Sequence, residues 1–414
     1  MDVAMKPVPV SRSYFTPGVM FLLVLMLNGL VFLVGRFVFG IGAVTNLDNE
    51  YPWGIWIGID VAAGVALAAG GFTTAALGHV MHRESYHVVV RPALLTAMLG
   101  YTFVAFAVFI DIGRYYYIWH PMIMWNGSSA LFEVGICVMA YVTVLYIEFL
   151  PIVTERFMGK VNLVGPLARF NRWVESFLRL LDRSLSRTMF VFIIAGVVLS
   201  CLHQSSLGTL MIIAGPKMHP LWQTPILPLL FLLSAISVGF PMVIFESLLA
   251  SRSLGLKPET QILSRLGRFI GPILGIYLAF KIGDMVIRET YVYLTEPTTE
   301  SVMFVLELLF GVIIPLRMSL SRTVLRSPLG LFATSALVIL GVLMNRINAF
   351  IVAYTPPHAS HAYYPSVGEV SITIGFVATI VLLYRMFVLN FPIISSPDKK
   401  AVRKAKYSIR GKTA

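Results

Sequence analysis

The chain has 414 residues, of which 57% are hydrophobic and only 13% are charged, and its mean hydropathy is +0.81. This composition excludes a soluble globular domain and is typical of a polytopic membrane protein. The net charge of +12 comes mainly from residues that flank apolar segments, so it indicates membrane topology and not nucleic-acid binding.

Ten segments are long and apolar enough to cross a bilayer, for which about 20 residues are needed. The first is too long for the apolar region of a signal peptide and lacks a cleavage motif, so it is predicted to stay as a span. The sequence therefore predicts an all-α integral membrane protein with about ten transmembrane helices. They lie at about 18–40, 54–79, 91–113, 129–152, 189–212, 225–249, 267–288, 302–319, 328–349 and 368–390.

Most of the 32 lysines and arginines fall at the ends of alternate spans, which predicts that these ends and both termini are cytoplasmic. The longest inner loop, 153–188, predicts an amphipathic helix that lies at the membrane surface or contacts a partner, and the surface role is favoured. The basic tail, 391–414, is expected to meet anionic lipid headgroups. Apolar residues of the loop recur at helical spacing at Leu167, Phe170, Trp173, Val174, Phe177, Leu178, Leu181 and Leu185.

Ionisable residues lie inside the apolar segments at Asp111, Glu133, Glu148, His203, Glu246, Lys281 and Asp284. A charge near the bilayer centre costs about 2.5–3.5 kcal/mol on insertion scales, so such residues usually face a bundle interior and serve a path or a site. Asp111 and Arg114 are three residues apart, as are Lys281 and Asp284. Each pair is therefore expected to share a helix face, where simple charge neutralisation is an equally good explanation.

Glu133 and Glu148 lie on one predicted helix, about 22 Å apart along its axis. Both can face one seam of a bundle at opposite depths, and a carboxyl group in an apolar site can hold and release a proton near neutral pH. Glu133 could instead make a plain hydrogen bond between helices. The pair predicts a proton path, with Glu246 as a further carboxyl group in the inner half of the membrane.

The segment His203–Ser206 is unusually polar for a membrane helix. Imidazole and amide donors suit the two carbonyl oxygens of a quinone, although a lone histidine can also serve as a hydrogen bond between helices. The other histidines lie at span ends or in loops, which argues against a haem held by two histidines. Cys137 and Cys201 are too few for an iron–sulfur cluster, which needs about four thiolates. We therefore expect no metal, haem or cluster in this chain.

Seven stretches together resemble the NrfD/PsrC family of quinone-reactive membrane subunits, in particular those of periplasmic nickel–iron hydrogenases of the hydrogenase-two type. The similarity extends over about 18–390. The stretches are Tyr51–Trp56, Val90–Leu95, Ile110–Tyr115, Leu131–Glu133, His203–Gly208, Lys217–Gln223 and Val243–Glu246.

The resemblance implies an extracytoplasmic iron–sulfur subunit, with hydrogenase small and large subunits, that delivers electrons to menaquinone or another quinone in the bacterial inner membrane. It also implies two four-helix bundles, made of spans two to five and six to nine. The family positions for proton handling match Asp111, Glu133 and Glu246, with Glu148 as a companion. The family positions for quinone binding match Arg114, Glu133 and His203, and Gln204, the next residue after His203, is expected to join them.

The resulting hypothesis is quinone reduction in the outer half of the first bundle, with protons supplied from the inner face. Three alternatives stay open. The chain could be a proton- or ion-coupled secondary transporter, a related subunit of another oxidoreductase such as a polysulfide or nitrite enzyme, or a passive anchor. A transporter is disfavoured because the polar residues crowd toward one face.

Overall fold

The computed structural model describes residues 5–80 and 86–397. In this part of the chain ten helices are long and apolar enough to span a membrane, which confirms the predicted fold class. The basic segment 398–414 and the loop residues 81–85 lie outside the described residues. The membrane helices are α1 (Pro17–Phe39), α2 (Trp56–Gly78), α3 (His87–Asp111), α4 (Ala130–Phe157), α5 (Asn171–Ala214), α6 (Leu227–Leu254), α7 (Thr260–Ile287), α8 (Thr299–Ser319), α9 (Pro328–Val352) and α10 (Val367–Asn390).

The helices form two four-helix bundles, α2–α5 and α6–α9, as the family resemblance implies. The bundles meet where α2 packs against α6 and α9. Helix α2 is not continuous, because wide π-type turns form its two ends and a turn at Ala68–Ala69 interrupts its middle. A Cβ atom on Gly71 would lie 2.5 Å from the Cβ atom of Ala97 on α3. Glycine therefore lets the interrupted helix sit in the centre of the protein.

Helices α1 and α10 form a flanking pair outside the two bundles. They touch at Gly29 and Gly375, where a Cβ atom on Gly29 would lie 2.8 Å from the Gly375 backbone, so small residues permit the close contact. Two short strands near the chain ends, β1 (Met5–Pro7) and β2 (Ser395–Pro397), pair antiparallel. We call the side of the membrane that carries these strands the termini face and the other side the loop face. The cytoplasmic location of the termini face stays a prediction.

Helix α5 has 44 residues and is about 66 Å long, well beyond the hydrocarbon core. The segment 171–188, which the sequence assigns to an inner loop, is the first part of this helix because no proline or glycine interrupts it before Gly196. Trp173, Phe177 and Leu180 are exposed along one side of the segment. Its placement on a membrane surface stays a prediction.

Candidate functional site

Polar side chains run through the first bundle from the loop face toward the termini face. They come from α3, α4 and α5, and we call them the polar column. Its members are Glu133, Ser206, Gln204, His203, Tyr101, Tyr141, Ser200 and Glu148.

His203 occupies the middle of the column and is completely buried. Its ring lies 5.6 Å from the ring of Tyr101, which meets the ring of Tyr141 edge-on at 4.4 Å. Ser200, almost one helical turn before His203, lies beside both tyrosines. Three helices thus bring an imidazole and three hydroxyl groups together in the membrane interior.

Five buried atoms of the column have no hydrogen-bond partner among the described residues. They are both ring nitrogens of His203, Tyr101 Oη, Ser200 Oγ and Gln204 Oε1. A buried polar atom without a partner costs about 1–3 kcal/mol, and most such atoms in folded proteins are paired. Five of them in one place make the column the main candidate for a functional site among the described residues.

The two carboxyl groups of the predicted proton path lie at the ends of the column. Glu133 stands in the first turn of α4, is exposed at the loop face, and accepts a hydrogen bond of 2.7 Å from Ser206 Oγ. Glu148 is half-buried and packs against Gly196 of α5. A Cβ atom on Gly196 would lie only 2.6 Å from Glu148 Oε1. The spacing of about 22 Å along α4 covers most of the hydrocarbon core.

Gln204 has a different environment from the one that the sequence suggests. Its Nε2 atom donates to the carbonyl oxygen of Val65 over 2.8 Å, just before the interruption of α2. Broken membrane helices need such partners for the carbonyl groups that they release. Gln204 thus joins the column to the interrupted helix.

Asp111 and Arg114 do not join the column. Asp111 lies ten residues from Tyr101 along α3, or about 15 Å toward the loop face. Arg114 follows the end of α3 in a non-helical conformation and is exposed. Asp111 instead belongs to a loop-face cluster with Arg36, Asp60 and Glu369.

Glu246 lies apart from both groups, between the bundles. It is next to the hydroxyl groups of Thr96 on α3 and Tyr384 on α10. One of its oxygens, Oε1, is buried without a hydrogen-bond partner among the described residues. The structure therefore places Glu133, Glu148, His203 and Gln204 along one column, with the two carboxyl groups at its ends, and leaves Asp111, Arg114 and Glu246 at other places.

The second bundle contains a charged network that the sequence did not reveal. Glu307 of α8 is its centre, and both carboxylate oxygens accept two donors. Oε1 accepts from the ammonium group of Lys281 and from Asn345 Nδ2 at 2.9 Å. Oε2 accepts from Asn348 Nδ2 at 2.8 Å and from the indole nitrogen of Trp222 at 3.2 Å.

Arg346 extends this network toward α6. It donates to Asn345 Oδ1, to Ser234 Oγ at 2.9 Å and to the carbonyl oxygen of Phe231 at 3.0 Å, and it lies over the Phe231 ring. The explanation that Lys281 and Asp284 neutralise each other is wrong, because Lys281 pairs with Glu307. Asp284 binds Arg288 at 2.8 Å instead, because the Lys281 side chain points into the bundle toward α8.

At the loop face, charged residues connect the loops of the flanking pair. The ring of His361 lies 3.0 Å from a carboxylate oxygen of Asp48. The backbone amide of Tyr51 donates to Asp48 and holds its pKa below the ordinary value. Over the second bundle, burial lowers the pKa of His219, while nearby Glu300 and Glu296 oppose this shift.

The described residues do not fit a haem held by two histidines. Of the histidines whose side chains are described, only His203 lies inside a span, and its ring faces Tyr101. His120, His219, His358 and His361 lie in the loops between helices.

Comparisons with known proteins agree with this architecture. A family model described as "Polysulphide reductase, NrfD" matches residues 43–357. A protein of Escherichia coli named "Probable Ni/Fe-hydrogenase 2 b-type cytochrome subunit" is 34% identical over 396 residues, which cover 94% of this chain and 95% of the relative.

Two further relatives are more distant. The "Menaquinone reductase, integral membrane subunit" of Nitratidesulfovibrio vulgaris is 25% identical over 377 residues, or 86% of each chain. A selenate reductase subunit of Mesobacillus selenatarsenatis is 23% identical over 419 aligned positions, which cover 89% of this chain and 95% of that protein. The names of these two relatives describe parts of different reductases.

Proposed function

This chain belongs to the NrfD family, and from that premise we propose that it is the quinone-reactive membrane subunit of a respiratory oxidoreductase complex in the bacterial inner membrane. The enzyme that it serves is a periplasmic nickel–iron hydrogenase, in keeping with the name of the Escherichia coli relative. The quinone is menaquinone, as in the name of the Nitratidesulfovibrio relative. An extracytoplasmic iron–sulfur subunit docks on the loop face and supplies the electrons.

The observation that carries this proposal is the polar column with its five unpartnered atoms. Reduction of a quinone to a quinol consumes two protons, so a site buried in lipid needs groups that deliver them. The hydroxyl and imidazole groups of the column can both donate and accept hydrogen bonds. They lie between the two carboxyl groups that end it.

In the proposed mechanism Glu148 takes up protons from the termini face, and the column passes them toward the loop face. His203 and the hydroxyl groups of Tyr101, Tyr141 and Ser200 act as the relay. Glu133, held by Ser206, releases the proton near the quinone, which is bound in the loop-face half of the membrane. Because electrons and protons reach the quinone from opposite faces, turnover separates charge across the membrane.

The other predicted site residues have supporting roles in this proposal. Gln204 positions α2 beside the quinone site and His203. Glu246 is a second entry for protons on the termini side, between the bundles. Asp111 handles protons at the loop face, and Arg114 contacts the quinone or the iron–sulfur partner from its exposed position. The chain itself holds no haem and no iron–sulfur cluster.

The decisive experiment replaces Glu133 with Gln in the intact complex. We expect quinone reduction to fall by about 100-fold or more, the scale of general acid–base catalysis, while reduction of a soluble dye by the catalytic partner continues. Glu155→Gln, at an exposed position near the termini-face end of the same helix, is the matched control and should retain both activities. Normal quinone reduction in the Glu133 variant would contradict the proposal and favour a passive anchor.

Purification separates the remaining alternatives. A quinone-reactive subunit should co-purify with iron–sulfur and catalytic subunits, and the identity of those subunits decides between a hydrogenase and another oxidoreductase. A secondary transporter should purify without them. The interruption of α2 is reminiscent of transporter helices, but its counterpart in the second bundle, α6, is continuous over its 28 residues.

A further inference from the structure

The flanking pair contributes polar groups to the first bundle, although both of its helices lie outside residues 43–357 that match the family model. Thr373 of α10 donates a hydrogen bond of 2.6 Å to Asp60 of α2. Glu369, at the start of α10, accepts from the backbone amide of Asn46 at 3.1 Å and from the hydroxyl group of Tyr363. The third contribution is Arg36 of α1, which is 1% exposed.

Arg36 holds the chain on both sides of Asp111. Its Nε atom donates to the carbonyl oxygen of Ile110, and one terminal nitrogen donates to the carbonyl oxygen of Ile112, both over 2.7 Å. Carbonyl groups at the end of a helix have no partner within it. The planar guanidinium group can bind two such oxygens at once, which an ammonium group does less well.

The environment of Asp111 makes the charge of Arg36 important. Asp60 from α2 and Glu369 from α10 are acids whose charges act on Asp111, and Arg36, which binds the carbonyl groups on both sides of Asp111, is a cation whose charge opposes them. The Oδ1 atom of Asp111 is buried without a hydrogen-bond partner among the described residues. The Arg36 guanidinium lies 5.6 Å from the ring centroids of both Phe37 and Tyr115, which limit its contact with water.

We propose that Arg36 is a positioning residue for Asp111: it fixes the end of α3 through two carbonyl groups and sets the protonation of the Asp111 carboxyl group by its charge. The flanking pair is then a working part of the proton-handling machinery and not a simple membrane anchor. This inference rests on the proposed function only in assigning Asp111 a role in proton handling.

The test measures the protonation of Asp111 directly. Dicyclohexylcarbodiimide reacts with protonated carboxyl groups in apolar sites, and mass spectrometry of peptides gives the labelled fraction of each one. In the full-length chain with Arg36→Gln, we expect the fraction of Asp111 labelled at pH 7.5 to rise by about threefold or more, since a neighbouring cation favours the ionised carboxylate. The pH profile of quinone reduction by the complex should move by about one unit.

Arg12→Gln is the matched control. Arg12 also comes from the N-terminal part of the chain and also binds carbonyl groups at a helix end, those of Leu254, the last residue of α6, and of Gly255. Its loss should leave the labelling of Asp111 and the pH profile unchanged. Unchanged labelling and an unchanged profile in a folded Arg36→Gln variant would overturn the inference.

If Arg36→Gln does not accumulate in membranes, Arg36→Lys provides the test. It keeps the charge but loses the planar two-point contact, so labelling of Asp111 should stay as in the wild type while kcat for quinone reduction falls. A wild-type kcat in that variant would overturn the positioning role. Because labelling needs no turnover, a chain that reduces no quinone would refute the proposed function and leave this test intact.

Discussion

The two bundles place their buried polar groups in opposite situations. In the second bundle, Glu307 receives four donors, and Lys281 and Arg346 are held close to it. In the first bundle, His203 has two ring nitrogens without a partner among the described residues, and hydroxyl groups beside it are equally unpaired. Both regions lie in a membrane interior made of the same kind of helices. The difference is consistent with the different tasks that we propose for the two bundles.

The free energy of each arrangement supports this distinction. A buried carboxylate whose two oxygens both accept hydrogen bonds, with a cation beside it, holds helices in one register, and removal of one partner leaves a charge in hydrocarbon. Within this network Arg346 Nε and Asn348 Oδ1 have no partner among the described residues, but the Glu307 carboxylate at its centre is fully paired. A buried group with no partner contributes nothing to stability and is retained in spite of its cost. Violations of packing rules in folded proteins concentrate at functional sites. We therefore propose that the second bundle acts as a support and that the first bundle carries the chemistry.

The largest expected effect comes from Glu307→Gln. The substitution leaves Lys281 and Arg346 buried without a counter-charge, so we expect a loss of about 3–5 kcal/mol in the free energy of unfolding. Thermal unfolding of the purified chain in detergent measures it. The double variant Lys281→Met with Glu307→Gln should recover part of the loss. A single variant as stable as the wild type would remove the basis for calling this bundle a support.

His203→Phe should have the opposite effect, with stability retained and activity lost. It removes two unpaired nitrogens and fills the same space, so Tm should stay equal or rise. Quinone reduction should nevertheless fall by about 100-fold or more, because the relay loses its central group. A lowered Tm with normal quinone reduction would show that His203 has a structural role and that the comparison is wrong.

Trp222→Phe probes a single donor of the charged network. Phenylalanine cannot donate the hydrogen bond of 3.2 Å that the Trp222 indole nitrogen makes to Glu307. A hydrogen bond to a charged group contributes about 1.5–3 kcal/mol to stability. We expect a lower Tm and unchanged kcat for quinone reduction. A fall in kcat at full stability would extend the chemistry into the second bundle.

The smallest effect concerns pH at the loop face. Burial lowers the pKa of His219 below its ordinary 6.5, so the unfolded chain binds a proton more readily than the folded one. The contribution of His219 to the free energy of unfolding should therefore be constant above about pH 6.5 and decline below it. His219→Asn keeps an acceptor for the amide of Leu221, 3.3 Å away, and should reduce the difference in Tm between pH 8 and pH 5. An identical difference would exclude His219 as the cause.

The sequence revealed the ten spans because apolar length is a local property. It also supported a correct division into bundles through the family resemblance. It did not reveal that α2 is interrupted, because a run of small residues is equally compatible with a continuous helix. Nor did it show that 171–188 continues into α5, because a loop was expected where charges accumulate.

The site was predicted less completely because its contacts join distant parts of the chain. Asp111 and Arg114 are three residues apart, but α3 ends at Asp111, so helical spacing no longer applies to Arg114. Arg36, the cation that binds the carbonyl groups on both sides of Asp111, is 75 residues earlier in the sequence. Ser206, the partner of Glu133, lies on another helix. Ionisable residues in apolar segments could be recognised, but their partners depend on packing that one sequence does not encode locally.

The pairing of β1 with β2 and the contact of Gly29 with Gly375 join the two ends of the chain. This has a consequence for the order in which the protein assembles. A ribosome adds about 5–20 residues per second, so α1 enters the bilayer tens of seconds before α10 exists. During that time the α10-facing side of α1 meets only lipid, and Arg36 gains its carbonyl acceptors only when the end of α3 has emerged. The last helix therefore completes the assembly, and a chain that stops short of it leaves the α10-facing side of α1 uncovered.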